Sequence, residues 1–169
     1  MTESTATIEK SIGERLAGKY LTFRLAEEEY GLGILKVQEI IRMQAVTRVP
    51  RTPEYVRGVI NLRGKVVPVV ELRKKFSFTP CEDTDKTCII VVQISSSDVS
   101  IVMGIIIDEV REVLDIASDN IEETPSFGAS INTDFILGMG KMNGNVKILL
   151  DIDKVLSIKE ISDIQTISK

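Results

Sequence analysis

Apolar and polar positions alternate along most of this chain. Leu21, Phe23 and Leu25 alternate with Thr22 and Arg24, the period of a half-buried strand. Ala26–Glu29 reads as a turn, and a strand resumes at Tyr30. Ile34–Ile41 fits two patterns: Ile34, Val37 and Ile41 suit a helical turn, and Val37–Arg42 suits a strand. Pro50 and Pro53 mark a loop, with Thr52–Val56 a candidate helical turn. Val59–Leu62 and Lys65–Leu72 flank Arg63-Gly64 as a hairpin, in which Pro68 predicts an edge position or a bulge. A polar loop follows at Ser77–Lys86. Cys88–Ile94 and Val99–Ile107 then read as strands joined by Ser95–Asp98. Phe135–Met142 and Asn145–Ile152 flank Asn143-Gly144, the strongest turn signal in the chain. Residues 1–18 carry only Ile8, Ile12 and Leu16 at helical spacing, enough for a tail or a short helix. Short strands at this spacing predict an all-β sandwich or barrel.

The pattern also repeats. Residues 55–76, YVRGVINLRGKVVPVVELRKKF, align without a gap on residues 135–156, FILGMGKMNGNVKILLDIDKVL. Gly58 falls on Gly138, Gly64 on Gly144, Val66 on Val146 and Lys74 on Lys154. Upstream, Gly31, Ile34, Val37, Glu39, Ile40 and Ile41 match Gly104, Ile107, Val110, Glu112, Val113 and Leu114. Two copies of one unit suggest two small β-barrels, a form that removes aggregation-prone sheet edges.

Where the copies agree, the fold is the simpler explanation; where they differ, a residue is free to serve a site. The hairpin turns differ. Asn143-Gly144 tolerates positive φ easily, whereas Arg63 is a poor choice at the same place. Arg63 therefore reads as kept for its guanidinium, with Glu39 the natural carboxylate partner. The second copy keeps Glu112 but has no Arg at its turn. Val37 and Val113, on the corresponding strands, read as core from the residues alone.

Composition narrows the chemistry. The 169 residues are 43% apolar and 27% charged, as in ordinary globular proteins. There is no His, which removes the commonest general base and metal ligand and every Ser-His or Cys-His arrangement. Cys81 and Cys88 make neither a disulfide framework nor a zinc site. Gly138 and Gly140 lie in a strand with no following helix, so they are no nucleotide cradle. No catalytic residue, cofactor or metal is therefore expected. The longest apolar run, Ile101–Ile107, is too short to span a bilayer, and residues 1–18 lack a signal-peptide core, so a cytoplasmic protein is expected.

Charge is uneven. Arg48–Lys75 has eight basic and two acidic residues, and Asp98–Asp134 nine acidic and one basic. That split suggests oppositely charged lobes that steer partners. Most aromatics occupy core-like positions, which argues against nucleic acid as the partner. Phe127, in the loop Pro125–Gly128, is either tucked in or an interface anchor.

The motifs EEYG at 28–31, VQEI at 37–40, RGVINLRG at 57–64 and VPVVEL at 67–72 resemble the CheW family of bacterial chemotaxis coupling proteins. The resemblance runs over roughly residues 18–158. It implies two interlocked five-stranded SH3-like β-barrel lobes related by the internal repeat, with short helices. On this reading 1–18 is an N-terminal tail or short helix and 19–158 the domain. Its strands lie around 20–76 and 87–152, and 159–169 is a C-terminal tail. The resemblance further implies a non-enzymatic adaptor joining the cytoplasmic tips of methyl-accepting chemoreceptors to the regulatory domain of the histidine kinase CheA. The isolated chain would be a monomer that joins a receptor array without inserting in the membrane. The family's functional positions fall on Val37, Glu39, Gly58, Arg63 and Val113, associated with receptor and kinase binding, and on Phe127, a second kinase contact. Two alternatives stand beside it: an adaptor of a non-flagellar signalling array, and a small-barrel protein that binds nucleic acid or a ligand.

Overall fold

Alternating apolar residues become eleven strands, seen in a computed structural model that describes residues 11–96, 99–126 and 133–167. They are β1 (Gly18–Leu25), β2 (Glu28–Gly33), β3 (Val37–Arg42), β4 (Val56–Leu62), β5 (Lys65–Glu71) and β6 (Cys88–Ser96). Then come β7 (Val99–Ile107), β8 (Glu109–Ile116), β9 (Ile121–Glu122), β10 (Ile136–Met142) and β11 (Asn145–Leu150). Among the described residues, four α-helices accompany them: α1 (Ile12–Leu16), α2 (Leu72–Lys75), α3 (Ile152–Val155) and α4 (Ile158–Ile167). One sheet has the order β8-β1-β2-β11-β10-β9 and the other β3-β6-β7-β5-β4. The five-strand count holds in the second sheet, and the first adds the two-residue β9.

Both sheets roll up. In the first, β8 and β9 stand at opposite ends of the strand order, yet only residues 117–120 separate them in sequence. In the second, Thr47, just beyond β3, bridges Val59 on β4 at the far end of that sheet. This bridge is the repeat's counterpart of β9, whose Glu122 pairs with Met139. The lobes do not follow the sequence halves. Strands β1 and β2 leave the first half: β2 pairs with β11 through the parallel pairs Tyr30–Ile148 and Gly31–Leu149, and β1 pairs with β8, which interlocks the lobes.

The repeat holds down to single hydrogen bonds. The parallel pair Val69–Gly104 between β5 and β7 matches Leu149–Gly31 between β11 and β2. Glu71 N donates to Tyr55 O at 2.7 Å, and Asp151 N to Phe135 O at 2.8 Å. Both hairpins carry a bulge at the same place, before Gly58 and before Gly138.

Alternate residues of the central strands face two different cores. Ile89 and Val91 of β6 join Ile60, Val67, Val69 and Ile106 inside the second sheet. Ile90, Val92 and Ile94 of the same strand join a larger cluster between the sheets, with Leu21, Phe23 and Leu25 of β1. Tyr20, Ile116, Ile121 and Leu149 fill the first sheet. Most buried apolar side chains therefore lie between the lobes, so neither lobe is a separable folding unit.

Several elements differ from the sequence reading. Ile34–Ile41 satisfies both patterns in succession: a 3-10 turn over Ile34–Lys36, then β3. Residues 52–56 form turns without a helix, closed by Val56 N donating to Pro53 O. Strand β5 is interior, so Pro68 is not at an edge. It is tolerated because the ladder to β7 begins only at Val69, and the bulge of this hairpin lies opposite Val69 and Val70. Residues 159–167, expected as tail, belong to α4. Ser157 caps it: Glu160 N donates to Ser157 Oγ and Ser157 N to Glu160 Oε1, a capping box. Ile161 and Ile164 of α4 are buried in the core between the lobes, each contributing about 1.5–3 kcal/mol. The charge split is also partly internal, because Arg57, Arg63, Arg73, Lys74 and Lys75 are all in ion pairs, with Arg73 on Asp108 of the acidic stretch.

Candidate docking site

The Arg63-Gly64 hairpin has the strained geometry that its sequence predicts. Arg63 sits at φ 50° and Gly64 at φ 88°, against 53° and 80° for Asn143 and Gly144. Both turns are thus of the tight type with two left-handed residues. Gly64 N donates to Asn61 Oδ1 at 2.8 Å, which braces the turn. The Arg63 guanidinium reaches Glu39 on β3 with both ends. Nη1 donates to Oε1 at 3.0 Å, and Nη2 donates to Oε2. A bulge in β3 places the carboxylate: Val37 faces Val92, but Glu39 faces the adjacent Val91. The guanidinium holds the Glu39 carboxyl below the usual carboxylate range, and Glu39 in turn raises Arg63. The Arg63 side chain is 70% exposed and Glu39 27%. Pairs this exposed add little to stability. What the pair does is hold a planar donor group at the surface in one orientation.

The corresponding bulge in β8 is organised differently. Thr22, fully buried, donates through Oγ1 to Glu112 O at 2.8 Å and accepts from Glu112 N at 3.2 Å. Val113 follows on β8, paired with Leu21 and exposed. Val37 is half-buried against the core between the lobes. Gly58 is buried at φ 150°, and a Cβ there would stand 2.1 Å from Thr47 O. Gly58 thus permits the close approach that rolls the second sheet, and it offers no surface to a partner. Phe127 lies outside the described residues.

Sequence reasoning missed a set of exposed aliphatics: Leu35 97%, Val66 53%, Val146 52% and Ile40 44%, beside Val113 51%. Four of the five are repeat mates, Ile40 with Val113 and Val66 with Val146. Alternation alone assigns such residues to core. The repeat does not separate them either, because positions apolar in both copies are also core in both, as Val69 and Leu149 are.

Two interlocked rolled sheets, a bidentate ion pair at a hairpin tip and repeat-related exposed aliphatics define a class: a two-lobed SH3-like β protein built for docking. Known proteins narrow the class. A family model for the CheW-like domain matches residues 19–160. The chemotaxis protein CheW of Klebsiella aerogenes is 37% identical over 164 residues, covering 97% of this chain and 96% of that protein. CheW of Treponema pallidum is 32% identical over 145 residues, 83% of each chain. The crystal structure of the scaffolding protein TtCheW from Thermoanaerobacter tengcongensis superposes with a TM-score of 0.75 at 34% identity, covering 86% of this chain and 96% of that one. The chain belongs to the CheW-like family. Among the described residues, no helix is long and apolar enough to cross a membrane.

Proposed function

We propose that this protein is a chemotaxis adaptor that couples the cytoplasmic tips of chemoreceptors to a CheA-type histidine kinase. It supplies no catalytic group and works in the cytoplasm as a scaffold. The observation that carries the reading is the Arg63–Glu39 pair. An arginine is held at a backbone position better suited to Asn, and it projects from the surface beside a strand with outward Ile40. Val37, Glu39, Arg63 and Val113 form the receptor-facing site, and Gly58 acts through closure of its lobe. Phe127 is the second kinase contact that the family resemblance implies. Control passes from receptor to kinase because one rigid body holds both.

The nucleic-acid reading fares worse. Tyr20, Phe23 and Tyr30 are buried, and Phe76, Phe78, Phe135 and Tyr55 pack against the core, so no stacking platform stands among the described residues. The test is receptor binding by the Arg63→Glu chain. Placing a carboxylate against Glu39 should weaken binding of a receptor cytoplasmic fragment at least about tenfold, with the circular dichroism spectrum unchanged. A folded variant with wild-type affinity overturns the site assignment.

A further inference from the structure

The chain crosses between the two sheets at two places, and the repeat relates them. The first crossing runs from β2 to β3 through Leu35 and Lys36, and the second from β7 to β8 through Asp108. Leu35 aligns with Asp108 in the upstream repeat, and Arg73 with Asp153 in the hairpin repeat. Each crossing is tied to the short helix that follows one hairpin. At the second, Arg73 of α2 donates Nε to Asp108 Oδ1 at 2.9 Å and Nη2 to Oδ2 at 2.7 Å. Asp108 Oδ2 also accepts from Ala26 N at 2.8 Å, in the β1–β2 turn. At the first, Lys36 Nζ donates to Asp153 Oδ2 of α3 at 2.7 Å, and Ser95 N donates to Asp153 Oδ1 at 2.9 Å.

The architecture is the same and the charges are reversed. The helix residue is cationic at one crossing and anionic at the other. Exchanging the two hairpins would set Arg73 against Lys36 and Asp153 against Asp108. Each helix residue is thus matched in sign to its own crossing and mismatched to the other.

We propose that Lys36–Asp153 is a positioning pair for the docking site. The proposal rests on the receptor-facing role given above to Val37, Glu39 and Val113. Lys36 directly precedes Val37, the first residue of β3 in the second sheet. Asp153 lies on α3, which follows β11 of the first sheet. The pair thus fixes where β3 leaves the crossing. It thereby sets Val37 and Glu39 in place relative to Val113, which stands on β8 of the other sheet. Asp153 also holds the end of β6, the strand against which β3 and its bulge are paired. One carboxylate anchors both neighbours in the second sheet to the first.

The test uses the full-length chain with Lys36→Ala, Asp153→Asn, the double variant and Lys36→Arg. Asn keeps an acceptor for Ser95 N but loses the charge. Three quantities are measured: affinity for a receptor cytoplasmic fragment, affinity for the kinase regulatory domain, and the thermal midpoint. Each of the first two variants should lose about five- to tenfold in receptor affinity, and the double variant no more than either. Lys36→Arg should stay near wild type, and kinase affinity and midpoint should hold in all four. A loss with Lys36→Ala but not Asp153→Asn would make Lys36 a direct contact and overturn the proposal, as would losses that add. A parallel fall in all three quantities would make the pair merely structural. If the wild-type chain binds no receptor, the adaptor function itself falls, and the positioning role with it.

Discussion

Lys147 gives the sharpest test of the packing. It is 5% exposed inside the first sheet, and its Nζ lies 2.7 Å from Glu29 Oε1. The repeat aligns Lys147 with Val67, and Glu29 with Val102, two residues before the matched Gly31 and Gly104. The second sheet therefore has a valine pair where the first has an ion pair. Each sheet is a template for the other. The two charges are not equally buried, because the Glu29 side chain is 32% exposed against 6% for Lys147. Glu29→Val strands an ammonium in an apolar interior and should cost about 3–5 kcal/mol. Lys147→Val leaves a carboxylate that water can still reach. Its cost, about 1–2 kcal/mol, is mainly lost packing. The double variant recreates the sister pair and should lie within about 1–2 kcal/mol of wild type. The coupling between the sites is then about 4 kcal/mol. Urea unfolding followed by circular dichroism reads all four proteins, with unchanged slopes confirming comparable transitions. Additive costs, or equal costs for the two single variants, would refute this account of the pair.

Gly58→Ala should destabilise by at least about 3 kcal/mol, since its Cβ meets Thr47 O at 2.1 Å from a left-handed backbone. Gly138→Ala, whose nearest neighbour is Glu122 O at 3.0 Å, should cost only about 1–2 kcal/mol by the same unfolding assay, and a reversed order would contradict the closure argument. Ile164→Ala should cost about 2–5 kcal/mol by thermal unfolding; no loss would mean that α4 does not close the core. Burial raises the Cys88 thiol above its ordinary value, whereas Cys81 is exposed. Intact mass after brief maleimide treatment near neutral pH should show one rapid addition, at Cys81. Two rapid additions would show that Cys88 is open.

What was legible in the chain and what was not has a common cause. Hairpins are local, so alternation around Arg63-Gly64 and Asn143-Gly144 located four strands and both turns. The repeat then related the two hairpins, and their registers agree to single residues. The exchange of β1 and β2 between sequence halves is not local. No pattern near Tyr30 announces that it will pair with Ile148. Helix α4 was expected as tail: its apolar face is short, and its capping box of Ser157 and Glu160 and its packing against the core appear only in the structure. At the site, Arg63 was legible because it is the wrong residue for its backbone. Gly58 pointed to closure only once Thr47 was placed against it. Leu35 and Ile40 were not legible, because outward aliphatics have the same alternation as inward ones.

The proposed adaptor joins receptor control to kinase activity. The most direct measurement is autophosphorylation of a CheA-type kinase mixed with assembled receptor cytoplasmic fragments, with and without the protein. Receptor-dependent activation is expected only when the wild-type chain is present, and is lost with folded Arg63→Glu. Equal receptor control without the chain, or full activation by Arg63→Glu, would contradict it.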